Sequence, residues 1–221
     1  MEIKRSIVVA LAGNANVGKS SIFNQLTGLD QIIGNWPGKT VERAEGTLYF
    51  GGYTIKVLDL PGIYSMSTFS MEEIVARDYI AIEHPDVIIN IVDASALERN
   101  LYFTIQLLEL QTPVVMALNQ IDFAAKRGVE IDFGKLSDML EMPVVPTIAT
   151  RGVGINELVS TVISVVEGRV RSPPHQEWST ARRSRRMWRI SNAWSGRNCR
   201  SYPRAIHQDG LPSSFWKKTK M

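Results

Sequence analysis

Apolar residues follow two different patterns along the first 170 residues. Short, nearly continuous apolar runs predict six strands, at residues 3–12, 42–50, 53–58, 87–93, 113–118 and 144–146. Apolar residues spaced three and four apart predict helices between them, at residues 18–28, from about 70, at 98–110, 132–141 and 156–166. Strands that alternate with helices after one hairpin indicate an α/β fold, so we expect a mostly parallel six-stranded sheet with helices on both faces.

Local signals set several boundaries between these elements. The pair Gly51-Gly52 predicts a two-residue hairpin between the second and third strands. Ser70 precedes Glu73 at capping-box spacing, and Asn156 is predicted to cap the last helix. Residues 29–41 follow neither pattern and are expected to form a loop.

The regular pattern ends near residue 170. Residues 171–221 contain 12 Arg and Lys residues and two acidic residues, whereas residues 1–170 contain 13 basic and 20 acidic residues. The segments therefore carry +10 and −7, although the whole chain carries only +3. Four of the five Trp residues also lie after residue 170, without a period of 2 or 3.6. We expect one domain over 1–170 and a basic, irregular tail over 171–221.

Two explanations of this tail remain open. It is either a basic arm for RNA or acidic lipid, because Arg with interleaved Trp suits both, or the product of a reading frame lost near residue 176. The abrupt change of composition favours the second, with a truncated and disordered product. The negative charge of residues 1–170 does not favour a nucleic acid partner.

Composition excludes other classes of protein. No run approaches 18 apolar residues, so no membrane span is encoded in these 221 residues. The single Cys199 excludes an internal disulfide and a cysteine-cluster metal site. The first apolar run ends in a glycine-rich loop rather than at a signal-cleavage site, so we expect a soluble, cytoplasmic product.

That glycine-rich loop is the strongest chemical signal. It joins the first strand to the first helix and has the residues Gly13, Asn14, Ala15, Asn16, Val17, Gly18, Lys19 and Ser20. In a phosphate loop, backbone N–H groups at a helix N-terminus bind a nucleotide triphosphate, the lysine reaches the β- and γ-phosphates, and the hydroxyl binds Mg²⁺. Ser21 follows directly and is included in the predicted site.

Two later segments have residues suited to the γ-phosphate. Thr40 is placed to complete Mg²⁺ coordination and to sense the γ-phosphate, and Gly38, in the same loop, is included in the predicted nucleotide site. Asp59 ends a predicted strand and can hold Mg²⁺ through water, and the N–H of Gly62 can meet the γ-phosphate. We predict Ser20, Thr40 and Asp59 as the Mg²⁺ ligands, and catalytic roles for Asn16, Lys19, Thr40 and Gly62.

A third segment selects the base. Asp122 can accept hydrogen bonds from guanine N1–H and the 2-amino group, which adenine does not offer, and such a site rejects the wrong base by roughly 10⁴ to 10⁵. Asn119 is predicted to brace the phosphate loop and the base pocket. Gln120 stands where many GTPases have a lysine over the base. After the last strand, the Ala149-Thr150 segment can offer a backbone N–H to guanine O6.

These five motifs, in this order, resemble the Ras-like, translation-factor-related GTPases over roughly residues 3–168. Within that group, residues 13–16, 34–42 and 59–65 resemble the N-terminal GTPase domain of the ferrous iron transport protein B family. The resemblance implies GTP/GDP binding and GTP hydrolysis that regulates ferrous iron uptake at the cytoplasmic face of the cell membrane. It also implies a membrane-embedded iron permease domain, absent here, and small accessory transport proteins as partners, and it leaves an oligomer open.

Hydrolysis is expected to be slow. Ras-type enzymes orient the attacking water with a glutamine after the Asp-x-x-Gly turn, but Ile63 stands at this position and can neither donate nor accept a hydrogen bond. The family resemblance implies a potassium ion as the activator, with Asn16 as one ligand and loop carbonyls of residues 34–38 as others. Two alternatives remain: an RNA- or ribosome-associated GTPase that uses the basic tail, and a GTP-binding switch with negligible turnover.

Overall fold

The computed structural model of the chain describes residues 5–28, 31–66, 70–110 and 112–170. Its strands are β1 (Arg5–Gly13), β2 (Gln31–Asn35), β3 (Glu42–Phe50), β4 (Tyr53–Asp59), β5 (Val87–Asp93), β6 (Val114–Asn119) and β7 (Val144–Pro146). Its helices are α1 (Lys19–Thr27), α2 (Met71–Glu83), α3 (Leu97–Leu108), α4 (Ile121–Lys126), α5 (Phe133–Leu140) and α6 (Ile155–Val166), with 3-10 turns at Ala94–Ala96 and Ala149–Arg151. The predicted tail, residues 171–221, lies outside the described residues.

A single sheet contains these strands in the order β2-β3-β4-β1-β5-β6-β7. The pairs β4–β1, β1–β5, β5–β6 and β6–β7 are parallel, whereas β2–β3 and β3–β4 are antiparallel. The predicted α/β class is confirmed. Because the parallel strands end at the same edge, the loops after β1, β4 and β6 meet there.

The sheet has seven strands in the described residues, so the prediction of six was wrong. The additional strand, β2, lies within the predicted loop 29–41 and pairs only with β3, from Gln31 opposite Gly46 to Asn35 opposite Glu42. Ile32 and Ile33 are successive residues and are 75% and 73% exposed. An edge strand that buries neither face has no alternation of polar and apolar residues, so its backbone pairing alone makes it a strand.

Helices cover both faces of the sheet, as predicted. Ile89 and Ile91 of β5 pack in one buried cluster with residues of α1 and α6. Asn90, which points to the opposite face by the alternation of a strand, donates a hydrogen bond of 2.7 Å to Thr104 Oγ1 of α3. Every residue of β5 before Asp93 is buried, which explains its continuous apolar run.

Two local predictions were right and one was wrong. Ser70 Oγ caps α2 by accepting a hydrogen bond of 3.1 Å from the Glu73 N–H. Gly51 and Gly52 both have positive φ, 57° and 81°, in the β3–β4 hairpin. Asn156 does not cap α6, because the cap is Gly154, at φ 79°. A Cβ on Gly154 would collide with the Pro146 carbonyl oxygen, so this position requires glycine.

Candidate nucleotide-binding site

A cavity of about 660 Å³ lies where β1 and β6 end. Its walls are residues of the phosphate loop, Gly62, and residues of two segments about 100 and 130 positions beyond the loop. They are Asn14, Ala15, Asn16, Gly18, Lys19, Ser20, Ser21, Gly62, Asn119, Gln120, Asp122, Phe123, Ile148, Ala149 and Thr150. The structure therefore brings together the predicted phosphate-binding and base-binding segments in one cavity of the size that small ligands occupy.

The phosphate loop turns back on itself through two residues with positive φ, Asn16 at 65° and Gly18 at 88°. A Cβ on Gly18 would collide with the Asn119 amide nitrogen, and a Cβ on Gly13 would lie 2.6 Å from the Ile91 carbonyl oxygen. These glycines allow the loop to approach the neighbouring strands closely. The loop ends at the N-terminus of α1, where free backbone N–H groups suit an anion.

Asn119 connects the two halves of the cavity. It is 3% exposed, and its Nδ2 donates to the Val17 carbonyl oxygen at 2.9 Å. Its Oδ1 accepts from the Ala149 N–H at 3.0 Å and from Thr147 Oγ1 at 3.4 Å. One buried side chain thus holds the phosphate loop and the Ala149 segment at a fixed distance from each other.

Lys19 and Asp59 form an ion pair at the ends of the loop and of β4. Burial raises the pKa of the Asp59 carboxyl, and the Lys19 ammonium counteracts part of that rise. An incoming triphosphate and cation would compete for these two charges. The pair therefore joins the residue predicted to bind the phosphates to one of the predicted Mg²⁺ ligands.

A second cavity, of about 540 Å³, lies beside the first and shares Lys19, Ser20 and Gly62 with it. Thr40 and Asp59 also line this second cavity. It therefore contains the three predicted Mg²⁺ ligands, whose hydroxyl and carboxylate oxygens fit a hard divalent cation. A Cβ on Gly62 would lie 3.3 Å from Ala15 Cα, so Gly62 brings its backbone against the phosphate loop.

At the base end of the first cavity, α4 and the turn at Ala149–Arg151 face each other. Asp122 lies on α4, and its Oδ2 is 3.9 Å from Nη2 of Arg151. Gln120 caps α4 at φ 61°. Phe123 and Ile148 line the cavity but were missed by the sequence analysis. The only sequence signal for Phe123 is that this large apolar residue directly follows Asp122.

Three predicted residues do not line either cavity. Val17 is buried and Gly13 lies at the end of β1. Gly38 is exposed in the loop that contains Thr40, at φ 68°.

Two asparagine side chains of the phosphate loop, Asn14 and Asn16, also line the first cavity. Asn16 is exposed at the cavity. Asn14 is buried, and its Oδ1 has no hydrogen-bond partner among the described residues. Amide oxygens are acceptors only, so they suit a cation rather than a phosphate. Among the described residues, no group of three or more His, Cys, Asp or Glu side chains is placed to hold a metal ion.

The fold and this arrangement of residues define the class, a Ras-like P-loop α/β domain. The family model described as ferrous iron transport protein B matches residues 7–162, so the chain belongs to that family. A curated relative from Porphyromonas gingivalis, the Fe(2+) transport protein A/Fe(2+) transporter FeoB fusion protein, is 49% identical over 164 residues, which are 74% of this chain and 19% of the relative. The chain spans about a fifth of the length of the curated relatives it matches.

Two solved structures are also similar. A mutant of S. thermophilus NFeoB bound to mGDP has a TM-score of 0.69 and 47% identity, and the match covers 72% of this chain and 61% of that one. The FeoB G-domain from Methanococcus jannaschii has a TM-score of 0.66 and 47% identity, with coverage of 74% and 99%. In the described part of this chain, no helix combines the length and the hydropathy that a membrane span needs.

Proposed function

We propose that this chain binds GTP and GDP with Mg²⁺ through a domain over residues 1–170 and hydrolyses GTP slowly, with stimulation by K⁺. The observation that supports this most is the single cavity in which a phosphate loop faces Asp122 across Asn119. The similar S. thermophilus structure, which is bound to mGDP, supports the same choice of ligand. As in the family, this hydrolysis would regulate ferrous iron uptake.

The chain's own residues divide the chemistry in this proposal. Backbone N–H groups of the loop and the Lys19 ammonium bind the β- and γ-phosphates, and Asp122 binds the guanine edge. Water attacks the γ-phosphorus while the bond to the β-phosphate oxygen breaks, which yields GDP and phosphate. Bound Mg²⁺ and K⁺ would neutralise charge on the phosphate oxygens, with Ser20, Thr40 and Asp59 holding the first and Asn16 the second.

The position after Gly62, where Ras-type enzymes have a glutamine that orients the water, is Ile63 in this chain. Ile63 is 4% exposed, and its backbone N–H donates to the Gly13 carbonyl oxygen at 3.2 Å. Turnover without an activator is therefore expected to be slow, in the range of unassisted GTPases.

The longer relatives are named as Fe(2+) transporters, and they suggest two partners for this chain. The P. gingivalis relative joins Fe(2+) transport protein A and the transporter in one chain, which supports a small accessory transport protein as a partner. A membrane-embedded permease domain is the second proposed partner, and the cytoplasmic face of the cell membrane is the proposed location.

Phosphate release by the full chain tests the activity. We expect hydrolysis in K⁺ to be at least about tenfold faster than in Na⁺, because a positive charge at the phosphates stabilises the transition state. Asn16→Asp and Asn16→Ala should reduce this ratio, and Asn156→Ala, which changes an exposed asparagine at the start of α6, should leave it unchanged. Equal rates in the two salts would exclude K⁺ stimulation.

The same assay separates the alternatives. Tight GTP binding without phosphate release would favour a switch with negligible turnover. Salt-dependent RNA binding by the full chain would favour the RNA-associated GTPase. Failure to bind either guanine nucleotide would contradict the proposed function as a whole.

A further inference from the structure

The segment that contains Thr40 is closed on itself by backbone hydrogen bonds. The Trp36 N–H donates to the Val41 carbonyl oxygen at 2.9 Å, and the Lys39 N–H donates to the Trp36 carbonyl oxygen at 3.0 Å. Thr40 therefore lies inside a short turn, residues 36–41, whose two ends are joined. The residues on either side of Thr40, Lys39 and Val41, are thus both hydrogen-bonded to Trp36.

The side chain of Trp36 anchors this turn to two other elements. Its ring meets the Tyr79 ring of α2 edge to face, with centroids 5.4 Å apart and an interplanar angle of 69°. The Arg43 guanidinium of β3 lies 4.9 Å from the centroid of the Trp36 ring. Aromatic pairs and cation–π contacts of this geometry are attractive. The ring is thus held between α2 and β3.

The indole N–H of Trp36 is buried and has no hydrogen-bond partner among the described residues. A buried donor without a partner reduces stability, so the ring is held by its packing and not by its polar atom. A phenylalanine would keep the ring contact without that unpaired donor.

Helix α2, which Trp36 contacts, follows the segment that contains Gly62, the other residue predicted to meet the γ-phosphate. Helix α2 begins at Met71, nine positions after Gly62. A second contact joins the same helix to the turn, since Lys39 Nζ is 3.9 Å from Asp78 Oδ2. The Trp36–Tyr79 contact therefore ties the Thr40 turn to the helix that follows the Gly62 segment.

We propose that Trp36 is a positioning residue that holds Thr40 at the cavity shared with Ser20 and Asp59, and so makes the chain favour GTP over GDP. This inference rests on the proposed guanine nucleotide binding. Thr40 and Gly62 are the residues predicted to sense the γ-phosphate, which GDP lacks. Loss of the anchor lets the turn sample other positions, and GTP binding must then order it again.

Binding of GDP and of a nonhydrolysable GTP analogue to the full chain, each with and without Mg²⁺, tests this proposal. We expect Trp36→Ala to weaken binding of the GTP analogue with Mg²⁺ by about tenfold, as an aromatic contact of this kind allows. Affinity for GDP should stay within about twofold of wild type, because GDP does not reach the Thr40 turn. Without Mg²⁺, Trp36→Ala should weaken binding of the GTP analogue by a smaller factor.

Matched variants distinguish positioning from simple loss of structure. Trp36→Phe should restore most of the preference, since it keeps the ring. Tyr79→Ala should reproduce the loss, and the double variant with Trp36→Ala should lose no more than either single one. Ile82→Ala, on the same helix at a position that is 72% exposed, should have no effect.

Three results would overturn the proposal. They are an equal loss for both nucleotides, an unchanged preference in Trp36→Ala, and fully additive losses in the double variant. Retained GDP binding shows that a variant is folded. If the wild-type chain bound neither nucleotide, the proposed function would fail instead, so the two failures are distinguishable.

Discussion

The two ends of the proposed nucleotide site are built in different ways. At the base end, one buried asparagine makes three hydrogen bonds that connect segments more than 100 residues apart. At the γ-phosphate end, Thr40 lies in an exposed turn beside an edge strand, and ring contacts and one weak ion pair hold it.

This difference has a functional consequence. A pocket held by buried hydrogen bonds keeps its shape whether or not a ligand is present, because breaking such bonds leaves unsatisfied polar groups. A turn held by surface contacts moves at a lower cost in free energy. In the proposed function, recognition of guanine would therefore depend on the rigid part of the site, whereas the response to the γ-phosphate would depend on the partly exposed contacts around Trp36.

The largest expected effect comes from Asp122→Ala at the base end. Removal of the carboxylate should reduce the preference for GTP over ATP by roughly 10⁴, because the discriminating hydrogen bonds of guanine lose their acceptor. Competition binding with the two nucleotides measures this ratio. Asp138→Ala, an exposed aspartate on α5, is the matched control. An unchanged ratio in Asp122→Ala would refute the assignment of the base pocket.

Asn119→Ala should lower both the stability of the chain and its affinity for guanine nucleotides. The change leaves the Val17 carbonyl and the Ala149 N–H without their partner. Two unsatisfied buried groups should lower the free energy of unfolding by about 3 kcal/mol. Because the connection serves both nucleotides, affinities for GTP and GDP should fall by similar factors, in contrast to Trp36→Ala. Urea denaturation and nucleotide titration measure the two effects. A loss confined to GTP would show that Asn119 belongs functionally to the γ-phosphate end.

The smallest of these effects is expected for Ile63→Gln, which places a Ras-like glutamine after the Gly62 turn. Ile63 is 4% exposed, so the polar side chain enters an apolar environment and should lower stability by about 2 kcal/mol. It should not accelerate hydrolysis, since a buried amide cannot orient the attacking water.

The control for this prediction is Ile32→Gln, on the exposed edge strand β2. There we expect the stability to change by less than about 0.5 kcal/mol. Faster phosphate release by Ile63→Gln would mean that the segment after Gly62 rearranges when nucleotide binds, and that the γ-phosphate end is even more adjustable than its contacts suggest.

Much of the proposed site was predictable from local patterns. The phosphate loop, Asp59 and Asn119 each follow a predicted strand, and parallel strands bring such positions to one edge. Phe123 and Ile148 were missed because an apolar residue in a short helix or turn has no pattern that assigns it to a cavity. Helix α4 was missed as well, since its six residues are too few to show a helical period.

The sequence by itself determined the fold class and the position of the phosphate loop, and it predicted the carboxylate proposed to read the base, because these depend on short-range spacing and on buried apolar runs. Only the tertiary structure decided the edge strand β2, the bridge through Asn119 and the packing of Trp36 on Tyr79. The Asn119 bridge and the Trp36–Tyr79 contact join residues distant in the sequence. Strand β2 pairs with the nearby β3 but leaves both of its faces exposed. Contacts of that kind leave no periodic signal in the chain, since their energy depends on which elements the fold places side by side.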